Sequence, residues 1–515
     1  MTPAKRPGRV VMLVDNTIDG DSRVQKSARA MADAGWEVHL LGKAPVAGAD
    51  EYEIGQAQVH RIPLKHLVAR KTLRLRLHRL RYPLAYPSKA RSEFKRNQIE
   101  VDRAELQVGS IGAAARTGIS AAGPTTRGLP FVVQRVAAKV RRDFIEARAK
   151  QTPVALGARV KHDGTLEDIE ARVWTALMGD RAWRRLDPLP YRYEISYQAE
   201  IDRLKPDLIH AHDFRMIGVA ARYVARARRS GRTIRLVYDA HEFVPGLNAP
   251  GKKWLAAQIG YEREHIGYAD AVVTVSPALA EMLEASHSLV ERPEVTLNAP
   301  PKLVASENAA WATESGARDV RAACGLSAEV QLAVYCGAAG PQRGLLTLVE
   351  ALEFLPHTHA AFVTNNLDGA YVASLRKKAA KVGASDRVHF MPYVPYDVLV
   401  GFLSTADIGV HPLRKGPVNH EVALSTKFFE FMQARLPVVV SDVKAMADEV
   451  GRVGNGLVFR SEDTKDLARA VEAVLGDRER FRRPYDRPGM LDEWSWEAQT
   501  ERYVALYERL LADLS

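Results

Sequence analysis

Ser425, Thr426 and Lys427 stand together at a predicted helix start, and Glu430 follows three residues later. Free backbone N–H groups in a first helical turn, the positive end of the dipole and a lysine together suit an anion such as phosphate. Residues three apart share a helix face, so Glu430 sets a carboxylate about one turn deeper, where it can accept hydrogen bonds from sugar hydroxyls. A phosphate reader beside a polyol reader points to a nucleotide-sugar, although a surface helix with an ordinary Lys and Glu has the same pattern. A second anion reader is expected in the run Gly337 to Gly344. Gly337 and Gly340 let the backbone approach a ligand, and Arg343 offers a two-pronged donor for phosphate oxygens. Arg343 and Lys427 together could neutralise a diphosphate.

In the first half, the run Pro206 to Asp213 ends a predicted strand with His210 and His212 on one pleat face. His212 lies nearer the loop and is the candidate for chemistry, while His210 reads as a hydrogen-bonded core residue. The next strand end carries Asp239, His241 and Glu242, which could orient an acceptor hydroxyl or cap the following segment. Asp21 either caps the first helix or, with Arg23, contacts substrate. The turn from Asp15 to Val24 lacks the Gly-x-Gly-x-x-Gly that a dinucleotide pyrophosphate needs. His210, His212, His241 and Asp239 are metal-ligand types, but their spacing matches no ligand pattern, so no metal and no cofactor are expected.

These residues must be held by an alternating scaffold. Strand-like runs at Val10–Val14, Glu37–Leu41, Gln58–Ile62, Asp207–His210, Arg235–Tyr238, Ala271–Val275 and Glu294–Leu297 alternate with helical patterns, the rhythm of a doubly wound parallel sheet. A second series begins at Leu332 and continues through His359–Thr364, Arg387–Met391, Ile408–Val410, Pro437–Ser441 and Leu457–Phe459. The expected class is α/β, with two Rossmann-like doubly wound domains facing a cleft. The domains are predicted at 1–300, with an insertion at about 65–200, and at 301–485, and a closing helix in 486–515 is expected to pack across them. Ligands of such sheets bind beyond the carboxyl ends of the strands.

The 515 residues exceed one comfortable core, and the net charge of +11 is unevenly placed. From Arg61 to Arg96 twelve Lys or Arg face a single acid, Glu93, with leucines interleaved. Such a stretch can present an apolar stripe bordered by cations to an anionic membrane surface, or be a solvated insertion packed by its arginine stems. No recognition motif accompanies the charge, so nucleic acid is not expected. With no long apolar run and a short polar start, the expected location is cytoplasmic, peripheral on the inner face of the plasma membrane. Cys324 and Cys336 form no metal or disulfide framework.

Taken together these residues resemble the retaining, metal-independent glycosyltransferases of family 4, whose fold is called GT-B. The Asp21-Ser22-Arg23-Val24 start, the Asp239-Ala240-His241-Glu242 strand end and the Trp496 helix are similar to a bacterial branch involved in cell-surface polysaccharides. The resemblance implies transfer of a sugar from a nucleotide diphosphate to a glycan or lipid-linked hydroxyl with retained anomeric configuration. It implies donor contacts from Gly337, Gly340, Arg343, Ser425, Thr426, Lys427 and Glu430, with His212, Arg343 and Lys427 acting in catalysis. Asp21, Arg23, Asp239, His241 and Glu242 would lie on the acceptor side. The family carries two glutamates separated by seven residues. Glu430 matches the second, whereas Val422 takes the place of the first, leaving Glu421 or Asn419 as substitutes. A nucleotide-sugar 2-epimerase and a non-catalytic membrane- or polymer-binding protein are the other readings of the same fold.

Overall fold

The computed structural model describes residues 8–45, 48, 50–65, 86, 91–102, 104, 129–151, 165–302 and 319–512. The chain divides into two compact units, one of Met1–Val273, Leu283–Glu294 and Leu506–Ser515, the other of Thr274–Met282 and Val295–Ala505. Most of the basic window, 66–85 and 87–90, and the Gly/Ala/Ser-rich run 109–128 lie outside the described residues.

The first sheet has eight strands: β1 (Arg9–Leu13), β2 (Glu37–Lys43), β3 (Asp50–Ile54), β4 (Ala57–Ile62), β5 (Leu208–His212), β6 (Arg235–Ala240), β7 (Ala271–Thr274) and β8 (Glu294–Val295). Their order is β3-β4-β2-β1-β5-β6-β7-β8. β1 pairs in parallel with β2 on one side and with β5 on the other, Met12 standing between Leu40 and His210. Strands covered on both faces need continuous apolar runs, and Val10 to Leu13 are fully buried. The strand order therefore reverses at β1/β5, and the carboxyl ends of those two strands are where a ligand crevice opens in sheets of this kind.

Helix α1 (Ser22–Asp33) follows β1 and buries Val24, Ala28, Met31 and Ala32, before Gly35 turns the chain with positive φ. Strand β3 is absent from the sequence-based expectation. Its residues Asp-Glu-Tyr-Glu-Ile are polar because it is an edge strand, antiparallel to β4. The helix Pro190–Leu204 falls within the span expected as an insertion, yet it packs on β1, where the Tyr193 and Tyr197 hydroxyls donate to the carbonyls of Asp15 and Val14.

The second sheet runs β11 (Val388–Met391), β10 (Thr358–Val363), β9 (Gln331–Cys336), β12 (Ile408–His411), β13 (Val438–Ser441), β14 (Gly456–Phe459). Every neighbouring pair is parallel. Here the order reverses at β9/β12. The pleat sends Leu332, Val334 and Cys336 into one core layer with Phe428, Phe429 and Phe431, and Ala333 and Tyr335 into the other with Leu345 and Leu348. Cys336 thus faces the helix Thr426–Gln433, on the opposite side of the sheet from the helix Leu345–Ala351.

Candidate functional site

In the second unit the elements converge at the carboxyl ends of β9 and β12. Gly337 ends β9 at φ +126, and a Cβ there would lie 2.4 Å from Lys427 Cε, so only glycine lets the lysine cross the loop. The loop closes in a 3₁₀ turn, Pro341–Arg343, and Gly344 at φ +68 leads into the next helix. A Cβ on Gly344 would fall 1.8 Å from the Pro412 carbonyl oxygen, which fixes the loop against the end of β12.

Arg343 and Lys427 are both half-buried, and neither has an acidic partner among the described residues. His411, the last residue of β12, registers both cations: burial first, then Arg343 and Lys427, lower its pKa to about 3, so its ring stays neutral. Its Nε2 lies 3.1 Å from the hydroxyl of Ser425, the residue that starts the lysine's helix. Glu430, one turn in, is buried, and the Cys336 thiol donates to its Oε2 at 3.0 Å. Burial, followed by the Glu430 carboxylate, raises the Cys336 pKa well above the ordinary thiol value, so it remains a donor. The arrangement sets two unneutralised cations and a helix start next to a fixed carboxylate, which is what a diphosphate joined to a polyol requires.

Ser425, Thr426, Lys427, Glu430, Gly337, Gly340 and Arg343 all lie on this loop and helix. Glu421 does other work: its carboxylate accepts from the backbone N–H of Gly416 at 3.2 Å and of Lys444 at 2.9 Å, tying a loop to a helix start. In the sequence His411 and Cys336 show themselves only as polar residues that close apolar strands.

The first unit gathers charge at the ends of β1, β5 and β6. Arg23 donates from Nε and Nη2 to the two oxygens of Asp239, each at 2.8 Å, with both side chains out of solvent. His212 Nδ1 and His241 Nε2 each stand 3.3 Å from Asp239 Oδ2. His210 stacks on His212 at 4.1 Å between centroids, and its Nδ1 lies 2.7 Å from the Tyr507 hydroxyl. Burial would raise the Asp239 pKa, but Arg23 and then His241 hold it well below the carboxylate range. His212 is lowered by burial against the pull of Asp239, while His241 is raised because Asp239 outweighs burial.

Asp21 Oδ1 accepts from the Val24 N–H at 3.3 Å and its Oδ2 from Asn16 at 2.7 Å, so it caps α1. Asp213 takes φ +67 at the start of the helix Phe214–Arg229 and accepts from the Phe214 N–H. Burial first, together with Asp15 and Glu242 and against His241, raises its pKa to about 7. His210, His212 and Asp239 bring ligand atoms within 4.8 Å of one another, a grouping able to hold a metal ion. Arg23 occupies both oxygens of Asp239, which closes the grouping with a cation from the protein itself.

Residues 318–487 match the model for "Glycosyl transferases group 1", and residues 161–298 match that for "Glycosyltransferase Family 4". A D-inositol 3-phosphate glycosyltransferase from Nocardia farcinica is 33% identical over 110 residues, which make up 21% of this chain and 23% of that protein. The chain thus spans about a quarter of that relative's length. Among solved structures, a sucrose-phosphate synthase from Thermosynechococcus elongatus superposes with a TM-score of 0.59 at 14% identity, covering 98% of this chain and 100% of the other. HepE of Anabaena, solved with UDP-glucose, gives 0.52 at 12% identity over 98% and 100%. These likenesses show the fold, two Rossmann-like α/β domains of the GT-B type.

Proposed function

The chain belongs to the family 4 glycosyltransferases, and from that premise we propose that it moves a sugar from a nucleoside diphosphate to a hydroxyl of a glycan or lipid-linked acceptor, with retention of anomeric configuration. The observation that carries the reading is the pair Arg343 and Lys427, two cations that have no acidic partner among the described residues, at the strand-order reversal of the second sheet. The HepE structure, whose ligand is UDP-glucose, supports a nucleotide-sugar as the matching anion.

In this reading the acceptor oxygen bonds to the anomeric carbon while the bond from that carbon to the diphosphate breaks. The acceptor proton passes to a leaving phosphate oxygen, so no separate carboxylate base is required. Negative charge grows on the leaving diphosphate, where Arg343, Lys427 and the first-turn N–H groups of Thr426–Gln433 stabilise it without a metal ion. Glu430, oriented by Cys336, accepts from the ribose hydroxyls. His212, whose Nδ1 lies 3.3 Å from Asp239, is assigned to the reacting sugar, and Asp21, Arg23, Asp239, His241 and Glu242 are assigned to the acceptor.

No described helix is long and apolar enough to cross a membrane. Contact with the inner membrane surface is proposed through the basic window 61–96. Turnover of UDP-, GDP-, ADP- and dTDP-sugars by the intact protein tests the activity. Release of the diphosphate with a transferred or hydrolysed sugar is expected. An isomerised free nucleotide-sugar would replace this reading with an epimerase, and no turnover of any donor would leave a binding protein.

A further inference from the structure

A serine just before the first residue of a helix ordinarily turns its hydroxyl inward, where it accepts from the second or third N–H of that helix. Ser425 holds this place before Thr426–Gln433, with extended backbone, yet its side chain makes no such bond. The Phe428 N–H turns back instead to the Ser425 carbonyl at 2.9 Å. The hydroxyl therefore claims neither the Thr426 nor the Lys427 N–H, and both are left for an anion.

His411 holds that hydroxyl away from the helix. Ile408 and Val410 of β12 belong to the core layer that contains Tyr335 and Leu345, so the pleat turns Gly409 and His411 the other way, toward Thr426–Gln433. A Cβ on Gly409 would lie 2.4 Å from the Phe431 ring, which marks the same face. Next on that face, the buried His411 ring brings Nε2 to 3.1 Å from Ser425 Oγ. Among the described residues the hydroxyl has no other hydrogen-bond partner.

The ring's surroundings decide which way this bond runs. Burial first, then Arg343, Lys427 and His420, keep it neutral, and the Tyr335 ring stands edge-on at 6.2 Å between centroids. A neutral imidazole has one N–H. With the proton on Nε2, the ring donates to Ser425 Oγ and the serine's own O–H is free to point at an oxyanion. With the proton on Nδ1, the serine must give its O–H to the ring and would turn lone pairs toward the anion, which repel it. An anion held by Arg343 and Lys427 therefore selects the first form.

We propose that His411 is a positioning residue of the diphosphate site: its Nε2–H holds the Ser425 hydroxyl out of the capping position and aims the serine proton at a phosphate oxygen. Ser425, Arg343, Lys427 and two backbone N–H groups then converge on one anion. The inference rests on the nucleotide-sugar reading of this site and adds to it a residue that touches no substrate.

The test is titration calorimetry of UDP, GDP and ADP into the intact protein and its variants, with melting temperatures measured alongside. His411→Leu removes the donor and should weaken the diphosphate that the parent binds best by about tenfold, the worth of one hydrogen bond. His411→Gln, whose side-chain N–H can reach the same oxygen, should recover most of that loss. Ser425→Ala should weaken binding by a similar factor. The double variant His411→Leu, Ser425→Ala should lose no more than either alone, because the two residues act as one unit. Replacing a capping serine by alanine lowers stability, whereas Ser425→Ala should here keep the parent's melting temperature. Parental affinity in both single variants would overturn the proposal, as would losses that multiply in the double variant. A lowered melting temperature in Ser425→Ala with unchanged affinity would overturn it too, by returning the hydroxyl to an ordinary cap. A parent that binds none of the three diphosphates would remove the nucleotide-sugar reading itself, and this inference with it.

Discussion

Both units reverse strand order at their centre, at β1/β5 and at β9/β12, and both place polar residues there, but they handle charge in opposite ways. The first closes its charge internally: Arg23 caps both oxygens of Asp239, and three histidines crowd the same carboxylate. Among the described residues the second leaves Arg343 and Lys427 without an acidic partner and holds the Glu430 carboxylate with a thiol. A buried ion pair holds side chains in place and adds little net stability. Unpaired cations at a helix start are costly unless an anion arrives. The comparison therefore assigns positioning to the first cluster and anion binding to the second.

The contrast can be broken most forcefully in the first unit. Asp239→Ala would leave the Arg23 guanidinium buried without its partner, and removal of one member of such a pair costs about 3–5 kcal/mol. Chemical denaturation should show that loss in full. In the second unit, Arg343→Ala and Lys427→Ala should each lower kcat/KM for the donor by about 10²–10³-fold while leaving the melting temperature close to the parent's. Gly337→Ala places a Cβ against Lys427 at positive φ, so donor KM should rise by about tenfold, measured by steady-state kinetics.

Asp213 gives a pH test. Its pKa in the folded protein, about 7, lies above the ordinary 3.8, so the folded state holds the proton more tightly. Stability present at acid pH is lost as pH rises through about 7. Asp213→Asn can still accept from Phe214 and should gain melting temperature relative to the parent between pH 4 and 8, a difference that vanishes at the acid end. The smallest effect belongs to Cys336→Ala, which frees one oxygen of Glu430. Donor KM should rise a few-fold with kcat unchanged, and Cys336→Ser should restore it.

The parallel strands were legible because burial on both faces forces unbroken apolar runs such as Val10 to Leu13 and Val438 to Val440. Helix α1 was legible from its Asp21 cap, its apolar stripe and the terminating Gly35. Strand β3 escaped because an edge strand has no second apolar face to show. In the site, the glycines, Arg343, Lys427 and Glu430 could be read from type and spacing along one loop and one helix. The Arg23–Asp239 pair could not, since 216 residues separate its members and only the sheet brings them together. Cys336 and His411 stayed hidden for a related reason, as their roles depend on which way a pleat faces.

Affinity for the free diphosphates UDP, GDP and ADP, measured by titration calorimetry on folded variants, bears on the central assignment most directly. The account predicts that at least one of them binds the parent, that the Arg343→Ala, Lys427→Ala double variant loses that binding by about a hundredfold or more, and that His212→Ala keeps it. Undiminished binding by the double variant, or loss confined to the first-unit variant, would contradict it.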